Sequence, residues 1–556
     1  MPSAANNRRR QLGVNYLDLM KKVFLILLVV FVCMGAVAKP KKKKVKASHS
    51  NASVPSLVAD LPVMEIQEVT SAYNAPKREF RGVWMHTIYN SAYPKLSSDE
   101  WKEYIRKQLD EYKKIGINVV IFQVRPEADA FYESEYEPWS RFLTGEQGKS
   151  PDPFFDPLHF IIEECHKRCM ELHAWVNPYR ANANKSKNRL VWHHIYYEKR
   201  YMFFSYGNQL MFNPGVPDSR EHIIKVIADI VTRYDIDGIH MDDYFYPYPI
   251  QGLKLPDTET FKRYGLNKGY ELGEIDNWRR DNVNILVKEL SSTIKSIKPY
   301  VKFGISPFGI YRNKTKDASG SDTNGLSNYD NLYADTQLWI NMGWLDYIIP
   351  QLYWEIGHTA ADYNILLNWW RDTKPESVQM YIGQDVSRSQ NQIGKKLNPT
   401  REAEQIGGNC FWSGDMLLAN KNEYKDSLQT AYFNHHAIAP NYPKLSHKAP
   451  AQPTNVQLDL MGEKPKLTWD IDKSGSEMEK PWYYIVYACD YRARLLDLYD
   501  PTRIVYVGTE TEFIIPEDIN PLFLKYRVTA VNRMQNESEA SEVCVYNEEF
   551  FEQREQ

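Results

Sequence analysis

The chain has 556 residues, room for one large barrel plus a module or for two or more domains. It is 43% hydrophobic and 25% charged, enough apolar surface for a sizeable core and not the composition of a disordered chain. A net charge of -3 gives no global basic field to recruit nucleic acid, and six Cys in this length exclude a disulfide scaffold. Aromatics are abundant, with 38 Tyr, 22 Phe and 14 Trp. Such a chain has a very aromatic core or offers flat rings to a ligand.

In chain order, residues 20–38 come first: two lysines, an apolar run and an Ala36-Val37-Ala38 ending. That is the layout of a secretory signal, so residues 1–38 read as a signal peptide, with Met20 a candidate for the true start. The apolar stretch is shorter than the roughly 20 residues a bilayer span needs. Export to the periplasm or cell envelope is the expectation. The basic run KPKKKKVK at Lys39 opens a polar linker, 39–77. It reads as a solvated tail, with association to an anionic membrane surface as the alternative.

From 78 to 438 short apolar runs alternate with longer amphipathic segments. The runs begin at Phe80, Ile117, Leu172, Asp237, Lys302, Asp346, Gln379 and Asn409. Helical patterns cover 99–115, 157–170, 219–234, 276–297, 329–342, 361–373, 390–405 and 423–435. Eight strands alternating with eight helices make an α/β fold, the (β/α)8 TIM barrel. Its largest insertion, 181–217, is crowded with rings such as Trp192, Tyr197 and Phe204. A Pro-rich joint, 439–453, separates the barrel from 454–548, where the period changes to 2 and seven short runs predict a small all-β sandwich. With Trp469 early and KYRVTAVN late, this part resembles a fibronectin type III module. A tail, 549–556, ends the chain.

Barrel active sites form at the C-terminal ends of the strands, so those ends were read for chemistry. The first strand presents Trp84 and His86; the second presents Gln123, Arg125 and Glu127; the third presents Trp175, Asn177, Tyr179 and Arg180. The fourth gives His240, Asp242, Asp243 and Tyr244, and the fifth Ser306 and Phe308. The sixth gives Gln351, Tyr353, Trp354 and Glu355, the seventh Gln384 and Asp385, and the eighth Trp412 and Asp415. Rings that pack on the C–H faces of pyranoses, with amides and carboxylates for hydroxyls, suit a sugar. For each of Trp84, Trp175, Trp354 and Trp412, a sugar platform and barrel packing stand as equal readings.

Glycosidic cleavage needs two carboxyl groups. In the fourth run Ile239 and Met241 are apolar and should face the helices, so His240, Asp242 and Tyr244 point to the axis and mouth. Asp242 is the first candidate, or else a fixed hydrogen-bond partner of Arg125 or His240; Asp243 follows it. Glu355 and Glu127 are the candidates for the second group, and Asp385 is a weaker one. His240 reads as an orienting residue that its flanking carboxylates keep protonated. No cofactor and no metal set is expected.

The runs EFRGVWMHT, INVVIFQVRPEADAFYESEYEPWS, LHAWVNPYR, DGIHMDDYFYPYP, FGISPFGIYRN and YIIPQLYWEIG together resemble the glycosyl hydrolase-like 10 family of bacterial envelope proteins. The resemblance implies a (β/α)8 barrel, secretion, and hydrolysis of an envelope polysaccharide, with peptidoglycan strands the target. It also implies that Asp242 and Asp243 lie at the heart of the site. DGIHMDDY is further similar to the D-G-x-D-x-D-x-E element of family 18 chitinases. Tyr244 stands where their acid Glu would be, so that acid is not carried over. The missing Glu supports an alternative, a non-catalytic glycan-binding barrel.

Overall fold

The computed structural model describes residues 75–373, 377–388 and 392–546. The signal segment, the basic run and the tail lie outside the described residues. Eight parallel strands close a barrel in the order β1 (Phe80–Met85), β2 (Val119–Arg125), β3 (Glu171–Val176), β7 (Gly238–Met241), β8 (Lys302–Ile305), β9 (Tyr347–Ile348), β10 (Gln379–Asp385) and β11 (Ile406–Trp412), which returns to β1. Each strand coincides with one of the eight apolar runs.

Alternation along these strands separates two apolar layers. Val83, Val120, Phe122, Ile239 and Met241 pack outward against the helices. Phe80, Trp84, Ile121, Trp175, Tyr347 and Tyr381 fill the barrel interior. Large rings fit there because two facing positions carry no side chain. A Cβ on Gly238 would lie 2.9 Å from the His173 ring, and one on Gly304 would lie 2.0 Å from the Tyr347 ring.

Local signals set the helix ends. Ser97 and Glu100 form a reciprocal capping box ahead of Ser98–Ile115, and Gly116 closes that helix at φ 95°. Several helices are shorter than their periodicity predicts: the 390–405 pattern gives Ile393–Glu402, and in the 423–435 pattern the α-helix covers Tyr424–Ser427. The 157–170 pattern ends at His166, before Cys169 takes a left-handed φ of 56°. The 329–342 pattern divides into Asn328–Asn331 and Thr336–Asn341, with Tyr333 at φ 55° between them. The aromatic insertion folds into its own antiparallel sheet of β4 (Arg180–Asn182), β5 (Phe203–Tyr206) and β6 (Gln209–Phe212).

The C-terminal part holds six strands in two three-stranded antiparallel sheets. One contains β12 (Thr454–Asp459), β13 (Lys466–Asp470) and β16 (Glu512–Ile514); the other contains β15 (Ile504–Gly508), β14 (Pro481–Asp490) and β17 (Leu524–Asn532). The seventh run is reduced to a single bridge, Tyr526 with Cys544. Trp469 packs between the sheets with Tyr484 and Val486.

This part is no loosely tethered spacer. The Pro-rich joint packs under the barrel: Tyr442 joins the interior ring cluster, and its hydroxyl lies 2.8 Å from that of Tyr381. The turn after β17 then reaches the N-terminal ends of the barrel strands. Arg533 Nε donates to Asp237 at 3.1 Å, and Gln535 Nε2 donates to Glu171 at 2.7 Å.

Candidate active site

A cavity of about 280 Å³ opens at the C-terminal ends of the barrel strands. The end of β7 supplies Asp242 and Asp243, and the loop after it supplies Tyr244 and Tyr248. Trp84, Trp175 and Trp412 come from the ends of β1, β3 and β11, and Ser306 and Phe308 from just past β8. Gln351, Tyr353 and Trp354 follow β9, and Arg388 follows β10.

Both oxygens of Asp242 accept hydrogen bonds. Its Oδ2 accepts from Trp175 Nε1 at 3.0 Å, and its Oδ1 accepts from Asn177 Nδ2 at 3.1 Å and from the Tyr244 amide at 3.3 Å. Burial raises its pKa, and Arg180, Asn177 and Trp175 offset only part of that rise. Asp243 accepts from the Tyr248 hydroxyl and, at 3.3 Å, from Gln351 Nε2. Burial and the neighbouring Asp242 charge push it up to about 6. Burial thus raises both of these neighbouring carboxyl groups, and Asp243 carries the added push of the Asp242 charge.

Beneath the cavity, a hydrogen-bonded chain runs down the barrel axis. Trp84 Nε1 donates to His240 Nε2 at 3.2 Å, and Ser306 Oγ lies 3.1 Å from the same nitrogen. His240 Nδ1 is 3.0 Å from the Tyr347 hydroxyl, which is 2.7 Å from His173 Nδ1. His173 Nε2 meets Glu171 Oε2 at 2.8 Å, and Lys302 holds the other Glu171 oxygen at 2.8 Å. Burial, then His173, lowers the His240 pKa well below the usual histidine value. His240 is thus neutral, which corrects the expectation that flanking carboxylates keep it protonated: its nitrogens touch Trp84, Ser306 and Tyr347 instead.

Of the residues the sequence nominated, Trp84, Trp175, Asp242, Asp243, Tyr244, Ser306, Phe308, Gln351, Tyr353, Trp354 and Trp412 line the cavity. Asn177 supports Asp242 from outside the lining, and the Arg180 guanidinium lies 5.0 Å from the Tyr244 ring. His86 sits against Trp412 with ring centroids 5.4 Å apart.

Others serve the scaffold. Gln123 Oε1 accepts from the Thr87 and Ile88 amides, and Tyr179 is core. Arg125 forms a fully buried pair with Glu137 at 2.6 Å, so it is no partner of Asp242; nor is His240. Asp385 is paired with Arg388 at 3.3 Å. Glu127 is buried away from the lining, accepting from the Ala183 amide and facing Arg141 at 3.4 Å. Glu355 is exposed beyond β9 and does not reach the cavity. The structure thus does not bring Glu355 or Glu127 beside the aspartates. Tyr248 and Arg388 are additions. Both lie in loops where strand alternation gives no direction, although Tyr248 falls inside the DDYFYPYP run.

The family comparison agrees with this geometry. Residues 79–399 match the model of glycosyl hydrolase-like 10. The chain belongs to the glycosyl hydrolase-like 10 family. It is a glycosidase by that kinship. "Glycosyl hydrolase YngK" of Bacillus subtilis (strain 168) is 42% identical over 482 residues, covering 84% of this chain and 92% of that protein. "Glycosyl hydrolase DigH" of Escherichia coli (strain K12) is 39% identical over 323 residues, covering 54% of this chain and 72% of that protein. Among solved structures, the PgaB (BpsB) glycoside hydrolase domain from Bordetella bronchiseptica is 10% identical with a TM-score of 0.42, over 64% of this chain and 99% of that one. Within the glycosyl hydrolase-like 10 region, every barrel strand except β11 falls inside the matched span.

Proposed function

We propose that this protein is an exported hydrolase that cleaves glycosidic bonds in a bacterial envelope polysaccharide, peptidoglycan glycan strands first among them. Asp243 is the proton donor to the leaving oxygen, and Asp242 is the charged group beside it. The observation that carries this reading is the Asp243 carboxyl, buried next to Asp242 and raised to about 6. A group with that value keeps its proton at mildly acidic pH, where an ordinary aspartate has lost it, and gives it up readily, which is what a general acid requires. The wall of tryptophans suits pyranose faces.

The signal-like N-terminus supports export, and the basic run after it supports contact with an anionic membrane surface. The two three-stranded sheets and the bridged seventh segment support a fibronectin type III-like module. Here it acts as the floor of the barrel.

The test incubates the protein, starting at Lys39, with purified peptidoglycan strands, both intact and freed of peptides, and reads new reducing ends by mass spectrometry. Cleavage that disappears in Asp243→Asn supports the reading. Strands that bind without being cut, by wild type and mutant alike, turn it into the glycan-binding alternative.

A further inference from the structure

Tyr89, in the loop after β1, is held in a strained backbone conformation and yet shows its ring to solvent. The Asn90 amide donates to the Thr87 carbonyl at 3.1 Å, which closes a turn, and Tyr89, the third residue of that turn, has φ 59°. A positive φ at this position ordinarily belongs to Gly or Asn, because a larger side chain is strained there. Burial does not offset the strain, since Tyr89 is 62% exposed. Its ring meets Phe142 edge-on at 5.6 Å, and its hydroxyl makes no hydrogen bond among the described residues. Tyr333, the other aromatic residue at positive φ among the described residues, is the contrast. It packs against Tyr246 at 5.0 Å and accepts a hydrogen bond from Arg279 Nη1 at 2.9 Å.

The turn is nonetheless pinned on both sides of Tyr89. Gln123 Oε1 accepts from the Thr87 and Ile88 amides at 3.0 and 2.9 Å, and Asn90 Oδ1 accepts from the Ala92 amide at 3.0 Å. Strain that the surroundings maintain in this way points to function. The ring stands at the rim of the cavity. The Arg180 guanidinium lies 5.0 Å from the ring of Tyr244, which lines the cavity. Burial raises the pKa of Tyr244 and of Tyr89, Arg180 pulls both back, and Tyr89 acts on Tyr244 as well, so the three groups are neighbours. Arg180 Nε donates to the Pro126 carbonyl at 2.9 Å, while its two terminal nitrogens make no hydrogen bond among the described residues. A buried fork of unused donors thus stands beside an exposed ring. A pyranose matches both, with a C–H face for the ring and oxygens for the fork.

We propose that Tyr89 and Arg180 form a subsite for a further pyranose of the polysaccharide, outside the cavity that holds the scissile bond. This rests on the glycosidase reading and adds to it. The strand crosses the rim at Tyr244, lays one sugar on Tyr89 and gives that sugar's oxygens to Arg180. The ring is fixed before the strand arrives, so little side-chain freedom is lost on binding. Binding a sugar remote from the bond to be cut sets the register of the strand over Asp243. Oligomers short enough to end inside the cavity miss this contact, so the protein discriminates by chain length.

The test uses the whole chain from Lys39 carrying Asp243→Asn, which removes cleavage, and measures calorimetric affinity for peptide-free glycan strands sorted by length. Tyr89→Asn, added to it, deletes the ring and leaves a residue type that adopts positive φ readily. Affinity should rise with strand length, and Tyr89→Asn should weaken it at least roughly tenfold more for long strands than for the shortest that bind. Tyr89→Trp, which keeps a ring, should retain the length dependence. Tyr89→Asn should melt no lower than its parent, whereas a packing role for the ring would lower the melting point. A loss equal at all lengths, or no loss, overturns the subsite. Cleavage of the same strands by the chain with Asp243 intact judges the glycosidase reading separately. Cleavage with length-independent affinity overturns the subsite and leaves hydrolysis standing. Length dependence that needs Tyr89, without cleavage, supports the subsite and turns the barrel into the glycan-binding alternative. No binding at any length and no cleavage overturn both.

Discussion

The Trp84 indole N–H and the Nε2 of His240 meet at 3.2 Å in the barrel axis, and that contact fixes which nitrogen of the histidine carries its proton. An indole nitrogen only donates, so Nε2 must accept and the proton sits on Nδ1. Nδ1–H then donates to the Tyr347 oxygen, the Tyr347 hydroxyl donates to His173 Nδ1, and His173 Nε2–H donates to Glu171. Every donor direction from the cavity floor to the barrel base follows from one contact.

The expected NMR signature is a neutral His240 with a protonated Nδ1 in long-range proton–nitrogen spectra of histidine-labelled protein. Glu171→Gln, which can donate back to His173, should produce a second His240 tautomer. A protonated Nε2 in the wild type would contradict the chain.

Asp243, raised to about 6, gives the pH dependence a sign. As the proposed proton donor it works while it holds its proton, so kcat/KM should fall as pH rises through about 6. The same shift bears on stability. The folded protein binds this proton more tightly than the unfolded chain, so the stability cost of Asp243 builds as pH rises from the ordinary aspartate value of 3.8, is fully present above about 6, and is relieved as pH falls back. Asp243→Asn should therefore abolish cleavage and, at pH 8, stabilise the fold by about 1–3 kcal/mol in urea titrations. At pH 4 that gain should vanish.

Trp175→Phe keeps a ring in the cavity wall and deletes the N–H that donates to Asp242. A hydrogen bond to a charged group contributes about 1.5–3 kcal/mol. If the loss is felt at the reacting centre, kcat should drop roughly tenfold to a hundredfold. KM should change less, because the apolar face remains.

Arg533 lies in the C-terminal part and reaches Asp237 and Asp235 under the barrel, at 3.1 and 2.5 Å. Burial works against the Asp237 charge, and His166 and Arg533 overcome it, holding the carboxyl far below the usual range. Removing one partner of a buried pair typically costs about 3–5 kcal/mol. Arg533→Met should lower stability by roughly 3 kcal/mol, since His166 remains, in a single cooperative unfolding transition. Two separate transitions in the wild type would show that the C-terminal part is an independent unit.

The eight strands were legible because each is a short apolar run whose alternation is local geometry, as Ile239 and Met241 outward and His240 inward illustrate. Eleven of the nominated residues line the cavity for the same reason: the ends of parallel strands converge wherever a barrel closes. The sequence by itself thus determined the barrel, its family and the aspartate pair. What lay beyond a strand end was decided by tertiary packing, since a loop residue has no periodicity to aim it. Glu355 and Glu127 read like Asp243 in sequence, yet one ends exposed and the other is buried against Arg141. Tyr248 is brought onto Asp243 by the fold of its loop. The protonation of His240 likewise depended on Trp84 and Tyr347, which are far away in the chain. A proton's position is set by which partners can donate and which must accept, and only the closed barrel brings those partners together.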